Sequence, residues 1–172
     1  MSYRDGLPLS RSTRVGSIRI HAIEAGVQQL DGGAMFGVVP KPLWERRIPP
    51  DARNRIPLAL RCLLVEAPEA LVLVDTGIGN KEDEKFTDIY GVSNRGSPTR
   101  LEDGIREAGF DPSDVDIVLN THLHFDHAGG NTFRDEDGEV PAGALRSIEQ
   151  VPPFARNGRK DRIETHYSDL PR

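Results

Sequence analysis

The sequence lacks the features of secreted, membrane-spanning and nucleic-acid-binding proteins. Its single cysteine, Cys62, cannot form an intramolecular disulfide, which suits a reducing compartment. No apolar run approaches the roughly 20 residues of a membrane span, and residues 1–14 are polar, unlike the apolar core of a signal peptide. The net charge of −5 provides no basic surface for nucleic acid or anionic lipid. We therefore expect a cytoplasmic protein with no nucleic-acid or membrane partner.

Histidine is also scarce, but most of it is concentrated in one stretch. Three of the five histidines and one aspartate fall within six residues, as His122, His124, Asp126 and His127. Imidazole nitrogen and carboxylate oxygen are ligands that zinc accepts. The stretch therefore predicts a metal site, against the alternative of a polar loop with incidental histidines.

The segment before this cluster, residues 115–120, is short, apolar and rich in β-branched residues, which predicts a buried strand. Alternate positions of an extended chain share a face, so His122 and His124 can point at one ion. Asp126 and His127 are adjacent and can reach a second ion if the chain turns into a helix there.

The full stretch reads Thr-His-Leu-His-Phe-Asp-His-Ala-Gly-Gly-Asn, and its glycines, Gly129 and Gly130, allow a close backbone approach and a sharp turn. It resembles the signature of the metallo-β-lactamase superfamily, especially its lactonase-like branch, which includes the acyl-homoserine-lactone lactonases. The resemblance implies an α/β protein with the αββα metallo-β-lactamase fold. We follow it over residues 18–139.

The order of the predicted elements is consistent with that resemblance. Residues 16–23 alternate like a strand, with Ile18 and Ile20 on one face. The apolar runs 58–65 and 71–74 predict a β-hairpin whose strands are covered on both faces. A helix is predicted next, because an apolar stripe recurs at helical spacing in Leu101, Ile105 and Ala108. Ser97 is its expected N-terminal cap, and Gly104 weakens its interior.

Asp75 ends the second strand of the hairpin in the sequence Asp75-Thr76-Gly77. A carboxylate at the end of a buried strand needs hydrogen bonds or a nearby metal, because an unpaired buried charge is costly. In the superfamily that the chain resembles, this tripeptide supports the metal loop from behind. The alternative is an ordinary turn at the end of a strand.

Three other features favour structural roles. We interpret His21 as a strand residue bonded locally, since it has no neighbouring ligand. Cys62 lies in an apolar strand pattern, which favours buried packing. Residues 31–33 predict a turn, and residues 34–42 predict a loop. We expect this loop to carry Met35, Phe36 and the following Trp44 either near the site mouth or over the core.

The resemblance implies a mechanism as well as a fold. Two metal ions, zinc by default with iron or manganese as alternatives, would lower the pKa of a water that then attacks an ester-like carbonyl. His122 and His124 would hold the first ion, and Asp126 and His127 the second. Asp126 would also orient the attacking water and carry its proton.

The family pattern fades after residue 138. We predict a polar leader over 1–14, a metallo-β-lactamase-like domain over 15–139 that is reduced to its first half, and an irregular tail over 140–172. Either the chain is truncated or frameshifted near residue 140, or a shorter variant completes its site by pairing as a homodimer. We place His166, the remaining histidine, outside the site.

These observations leave three classes of function open. The first is a metal-dependent hydrolase of a small ester-like substrate, a lactone or thioester. The second is an iron-dependent redox member of the same superfamily, which the Asp126–His127 pair disfavours because a mononuclear iron site does not need it. The third is an inactive metal-binding remnant that lacks the later ligands.

Overall fold

A five-stranded mixed sheet forms the centre of the computed structural model, which describes residues 8–97, 99–132 and 134. The strands lie in the order β1-β2-β3-β4-β5; the first four pair antiparallel, whereas β4 and β5 are parallel. This arrangement confirms the predicted α/β class. The strands are β1 (Ser10–Val15), β2 (Ile18–Asp31), β3 (Arg55–Ala67), β4 (Ala70–Val74) and β5 (Ile117–Leu119).

Short helices connect the strands, and one of them packs against the core. Their bounds are α1 (Gly32–Phe36), α2 (Lys41–Trp44), α3 (Glu84–Tyr90), α4 (Arg100–Glu107) and α5 (Phe125–Ala128). Two single 3-10 turns add Pro112–Asp114 and Gly129–Asn131. Within the described ranges no helix is long and apolar enough to cross a membrane.

The predicted helix is α4, and it packs where its stripe predicts. Leu101 and Ile105 are buried, and Gly104 lies between them against the sheet. A Cβ on Gly104 would come within 2.3 Å of Ile23 Cγ2, so close packing explains the glycine that intrinsic propensity disfavours. The predicted cap was wrong: Thr99, two residues after Ser97, precedes the first helical turn.

The predicted hairpin is confirmed as β3 and β4, joined by the two residues that separate the paired Ala67 and Ala70. The prediction that both faces are covered was wrong. Along β3, Cys62 and Leu64 are buried at 1% and 0% exposure, while Leu63 between them is 41% exposed. An apolar sequence shows that a strand can be buried but not how many faces the fold covers. Pairing with a second copy over this face stays a prediction.

The predicted leader was wrong for residues 10–14, which form most of β1. The segment pairs with β2 in register from Ser10–Ile23 to Val15–Ile18. Its side chains are mostly exposed and give no apolar alternation, because the backbone hydrogen bonds of an edge strand do not require one.

Two short helices, α1 and α2, replace the turn and loop predicted over residues 31–42, and α2 continues to Trp44. Asp31 Oδ1 accepts from Ala34 N at 2.8 Å and caps α1. Trp44 is 4% exposed and stacks on Phe36, with ring centroids 4.9 Å apart. Gly32 lies against the same indole. A Cβ at this position would come within 2.5 Å of Trp44 Cη2, so the packing requires glycine. Packing therefore explains Phe36 and Trp44.

Candidate metal site

The histidine cluster lies on the loop that follows β5 and on helix α5 directly after that loop. The strand ends at Leu119, and α5 begins at Phe125 with His124 as the residue before it. The predicted turn into a helix at Asp126 and His127 is therefore observed. The strand is shorter than predicted, since Val115 and Asp116 precede it and Asn120 follows it.

The four predicted ligands lie close together. The ring centroid of His122 is 4.6 Å from that of His124 and 3.9 Å from that of His127. Asp126 Oδ2 is 3.7 Å from His127 Nε2, whereas two ligands of a tetrahedral zinc ion with bonds of about 2.1 Å would be about 3.4 Å apart. Among the residues that the structure describes, however, no three His, Cys, Asp or Glu side chains are arranged to hold one ion. The cluster thus offers pairs of ligands.

Asp75 fixes the orientation of one ligand. Its Oδ2 is 2.8 Å from His127 Nδ1, and its Oδ1 accepts from Thr121 N at 2.8 Å. Because an ionised carboxylate only accepts, His127 Nδ1 donates to Asp75, and in the neutral ring Nε2 is then the nitrogen left for an ion. This is the contact expected of a carboxylate that supports a metal-binding imidazole.

The same contacts keep Asp75 ionised. The residue is 7% exposed, with a backbone φ of 58°. Burial alone would raise the pKa of Asp75, but hydrogen bonds from His127 and Thr121 outweigh it and hold that pKa below its ordinary value. The carboxylate therefore faces His127 as an anion.

The chain after Asp75 runs beside the end of the histidine loop. Thr76 N donates to His127 O at 2.7 Å, and Gly130 N donates to Gly77 O at 3.1 Å. A Cβ on Gly130 would lie 2.2 Å from Thr76 O, and one on Gly129 would lie 2.5 Å from Ile78 O. The close backbone approach predicted for these glycines is confirmed.

Side-chain amides and a lysine also hold this loop, and the sequence did not reveal them. Asn131 Oδ1 accepts from Thr76 Oγ1 at 2.8 Å, and Asn131 Nδ2 donates to Asn120 Oδ1 at 2.8 Å. Lys81 Nζ donates to the carbonyl oxygens of Gly129 and Thr132. The position of Asn131 directly after the two glycines was the one local signal for this network.

A further missed residue, Gln28, contacts the cluster from β2. Its Nε2 donates to Asp126 Oδ2 at 2.8 Å. The two residues are 98 positions apart in the sequence, and no motif surrounds Gln28. Only the fold could reveal the contact.

The structural roles predicted for His21 and Cys62 are confirmed. His21 is 3% exposed, and its Nε2 lies 2.7 Å from Glu66 Oε1 on the neighbouring strand. Cys62 is 1% exposed, and burial raises the pKa of its thiol. His166 and the predicted tail over 140–172 lie outside the described residues.

Residues 56–153, more than half of the chain, match the metallo-beta-lactamase superfamily. The chain therefore belongs to the metallo-β-lactamase superfamily.

Individual relatives agree with this assignment. A probable metallo-hydrolase of Mycobacterium tuberculosis is 33% identical over 131 residues, which are 69% of this chain and 42% of that protein. An N-acyl homoserine lactonase of Bacillus cereus is 33% identical over 85 residues, which are 45% of this chain and 34% of the lactonase.

A solved structure supports the fold assignment. The crystal structure of a probable metal-dependent hydrolase from Staphylococcus aureus superposes with a TM-score of 0.64 at 39% identity, covering 71% of this chain and 43% of that one. The present chain thus spans less than half the length of each relative.

Proposed function

We propose that this chain provides the metal-binding loop of a hydrolase that cleaves an ester-like bond, a lactone or a thioester, in a small molecule. One observation carries the proposal: four ligand side chains lie close together on one loop and the helix that follows it, and a buried carboxylate orients one of them, His127. The similarity to an N-acyl homoserine lactonase supports a lactone as substrate.

Zinc fits the donor types, with iron or manganese as alternatives. His122 and His124 would hold one ion, and Asp126 and His127 a second. When bound, such ions lower the pKa of water towards neutrality and polarise a carbonyl group. The fit is best at His127, whose Nδ1 is bonded to Asp75 so that Nε2 is available.

Asp126 is the residue that we propose as the catalytic carboxylate. Its side chain is 20% exposed, so it is reachable by a water and a substrate. It would accept the proton of the attacking water and deliver it to the oxygen or sulfur that leaves the carbonyl carbon. The bond that forms joins water oxygen to the carbonyl carbon, and the bond that breaks releases an alcohol or thiol.

A non-catalytic metal-binding module is the second candidate. The observation that favours it is the absence, among the described residues, of three ligand side chains arranged around one point. Such a module would bind metal without turnover.

Turnover of a generic lactone and a generic thioester, with zinc or manganese added, separates the two candidates. Asp126→Asn keeps the side-chain shape but removes the charge, and it should lower kcat by about 10²–10⁴-fold. Asp103→Asn is the matched control, since Asp103 makes an exposed ion pair with Arg106. If wild type hydrolyses neither substrate faster than Asp126→Asn with any metal, the hydrolase proposal fails. Metal content measured on the same samples then tests the module.

A further inference from the structure

Gln28 is a buried polar residue on β2, the strand that contributes Ile23 and Ala25 to the core. It is 3% exposed, and its amide nitrogen is 2.8 Å from Asp126 Oδ2. A carboxylate only accepts hydrogen bonds, so the amide must present its NH2 group to Asp126 rather than its oxygen. The contact therefore has a defined direction.

A β-bulge aims Gln28 at the cluster. Ile23 pairs with Cys62 and Gln28 pairs with Leu58, so five residues of β2 span the same distance as four of β3. In an unbroken ladder Val27 would pair with Leu58. Side-chain direction alternates strictly along a strand, so Val27 would then share the face of Cys62. The extra residue moves Val27 away and brings Gln28 to the face of Cys62. A bulge that redirects a side chain beside a functional site is a recurrent use of this feature.

The backbone at the bulge is specifically supported. Gly26 has a φ of 112°, a conformation that favours glycine. Val27 and Ser93 exchange backbone hydrogen bonds of 3.0 and 2.9 Å on the other edge of β2. The redirection of Gln28 is thus built into the sheet.

Only one end of the Gln28 amide has a partner. Gln28 Oε1 is buried and has no hydrogen-bond partner in the part of the chain that the structure describes. A buried acceptor without a partner costs stability, which offsets part of what the hydrogen bond to Asp126 contributes. That hydrogen bond is the interaction that an apolar side chain could not make here.

We infer that Gln28 is a positioning residue for Asp126. Its NH2 group donates to Asp126 Oδ2, which is also the carboxylate oxygen that lies 3.7 Å from His127 Nε2. Asp126 and His127 are then oriented together before an ion binds, and Asp126 is in place for its proposed contact with the attacking water. This inference rests on the proposed function for its catalytic consequence, but the orientation of Asp126 is independent of it.

Two substitutions at Gln28, with a neighbour as control, test the inference. Gln28→Met keeps the size and removes the donor, and Gln28→Glu keeps the shape and places a carboxylate against Asp126. Gln28→Met should weaken zinc affinity by about 10–100-fold, the usual loss when support for a ligand is removed. Gln28→Glu should turn the Asp126 carboxylate away from residue 28, because adjacent carboxylates repel each other. Gln29→Met is the matched control, because Gln29 points away from Gln28 and lies against Gly91.

Thermal unfolding and crystal structures supply readouts besides activity. Gln28→Met should change Tm little, because the loss of the hydrogen bond to Asp126 is offset by removal of the unpartnered Oε1, while Asp126 rotates away from His127. A residue with only a structural role would lower Tm and leave zinc affinity unaltered. If the chain is active, kcat should fall with KM little changed.

The outcomes separate this inference from the proposed function. If wild type binds zinc and Gln28→Met binds it equally well, the inference fails while the proposed function stands. If wild type binds no metal, the proposed function fails, and the rotamer of Asp126 in Gln28→Met decides the inference. An unmoved Asp126 overturns it, and a rotated one supports it.

Discussion

The two pairs of predicted ligands are held very differently. Asp126 and His127 are half-buried on α5, and each is bonded to a side chain from elsewhere in the sheet, Gln28 or Asp75. His122 and His124 are exposed on the preceding loop. Their side chains contact each other, and His122 Nδ1 lies 3.2 Å from Thr121 Oγ1.

This difference shows which ligands the described residues hold in place. Ordering a free side chain costs conformational entropy, up to about 2 kcal/mol for the longest ones. The supported pair has met that cost before an ion arrives. In the exposed pair, His122 contacts Thr121 and His127, whereas the His124 ring contacts only His122 among the ring contacts of the described residues. β2 and the end of β4 supply the support, so this half of the site depends on elements that precede the motif in the chain.

The largest expected effect comes from removing a supported ligand. His127→Asn places an amide nitrogen near the position of Nδ1, so Asp75 keeps a partner while Nε2 is lost. Zinc affinity, measured by competition with a chromophoric chelator, should fall more than about 100-fold, beyond the loss typical of supporting residues. His124→Asn, the same change in the exposed pair, should cost at least about tenfold less. A reversed order would show that support does not determine affinity.

Removing the support itself should cost less than removing the ligand. Asp75→Asn tolerates the positive φ, but its NH2 group would donate to His127 Nδ1 and move the ring proton to Nε2. Zinc affinity should fall about 10–100-fold.

Asp116→Asn is the control for Asp75→Asn, since Asp116 Oδ2 accepts from Leu71 N at 2.8 Å and makes no contact with the cluster. Equal zinc affinity in Asp75→Asn and wild type, with lower stability, would leave Asp75 as a strand-end turn.

The backbone support of the same pair can be tested without metal. Gly130→Ala would push a Cβ into Thr76 O, and neither backbone segment can yield easily. The free energy of unfolding in urea should fall by about 1–3 kcal/mol. Gly33→Ala in α1 would meet Asp31 Oδ1 at 3.0 Å and Asn54 Nδ2 at 3.9 Å, both in side chains rather than backbone, so its change should stay below about 1 kcal/mol. An unaffected Gly130→Ala would show that the contact between the two segments is loose.

Local patterns predicted the elements that depend on local chemistry. The β3–β4 hairpin, the stripe of α4 and the strand-to-helix passage around the histidines all follow from short-range spacing. Asp75 was identified because a carboxylate at the end of a buried strand needs a partner.

The features that sequence reasoning missed depend on tertiary pairing. β1 has no apolar alternation, since its pairing uses backbone groups alone. The bulge in β2 breaks the period-two pattern, which hid both the length of the strand and the direction of Gln28. The open face at Leu63 was missed because an apolar strand does not state how many layers cover it.

The smallest expected effect concerns His166, which tests whether the exposed pair has a third ligand. Zinc commonly needs at least three protein ligands, and His21 is already bonded to Glu66. Because we place His166 outside the site, His166→Ala should change zinc affinity by no more than about twofold, which corresponds to about 0.4 kcal/mol. A loss above tenfold, with none further when His124→Asn is added, would mean that His166 and His124 act on one ion. The exposed pair would then have its missing support in residues that follow the motif, and the contrast between the two pairs would disappear.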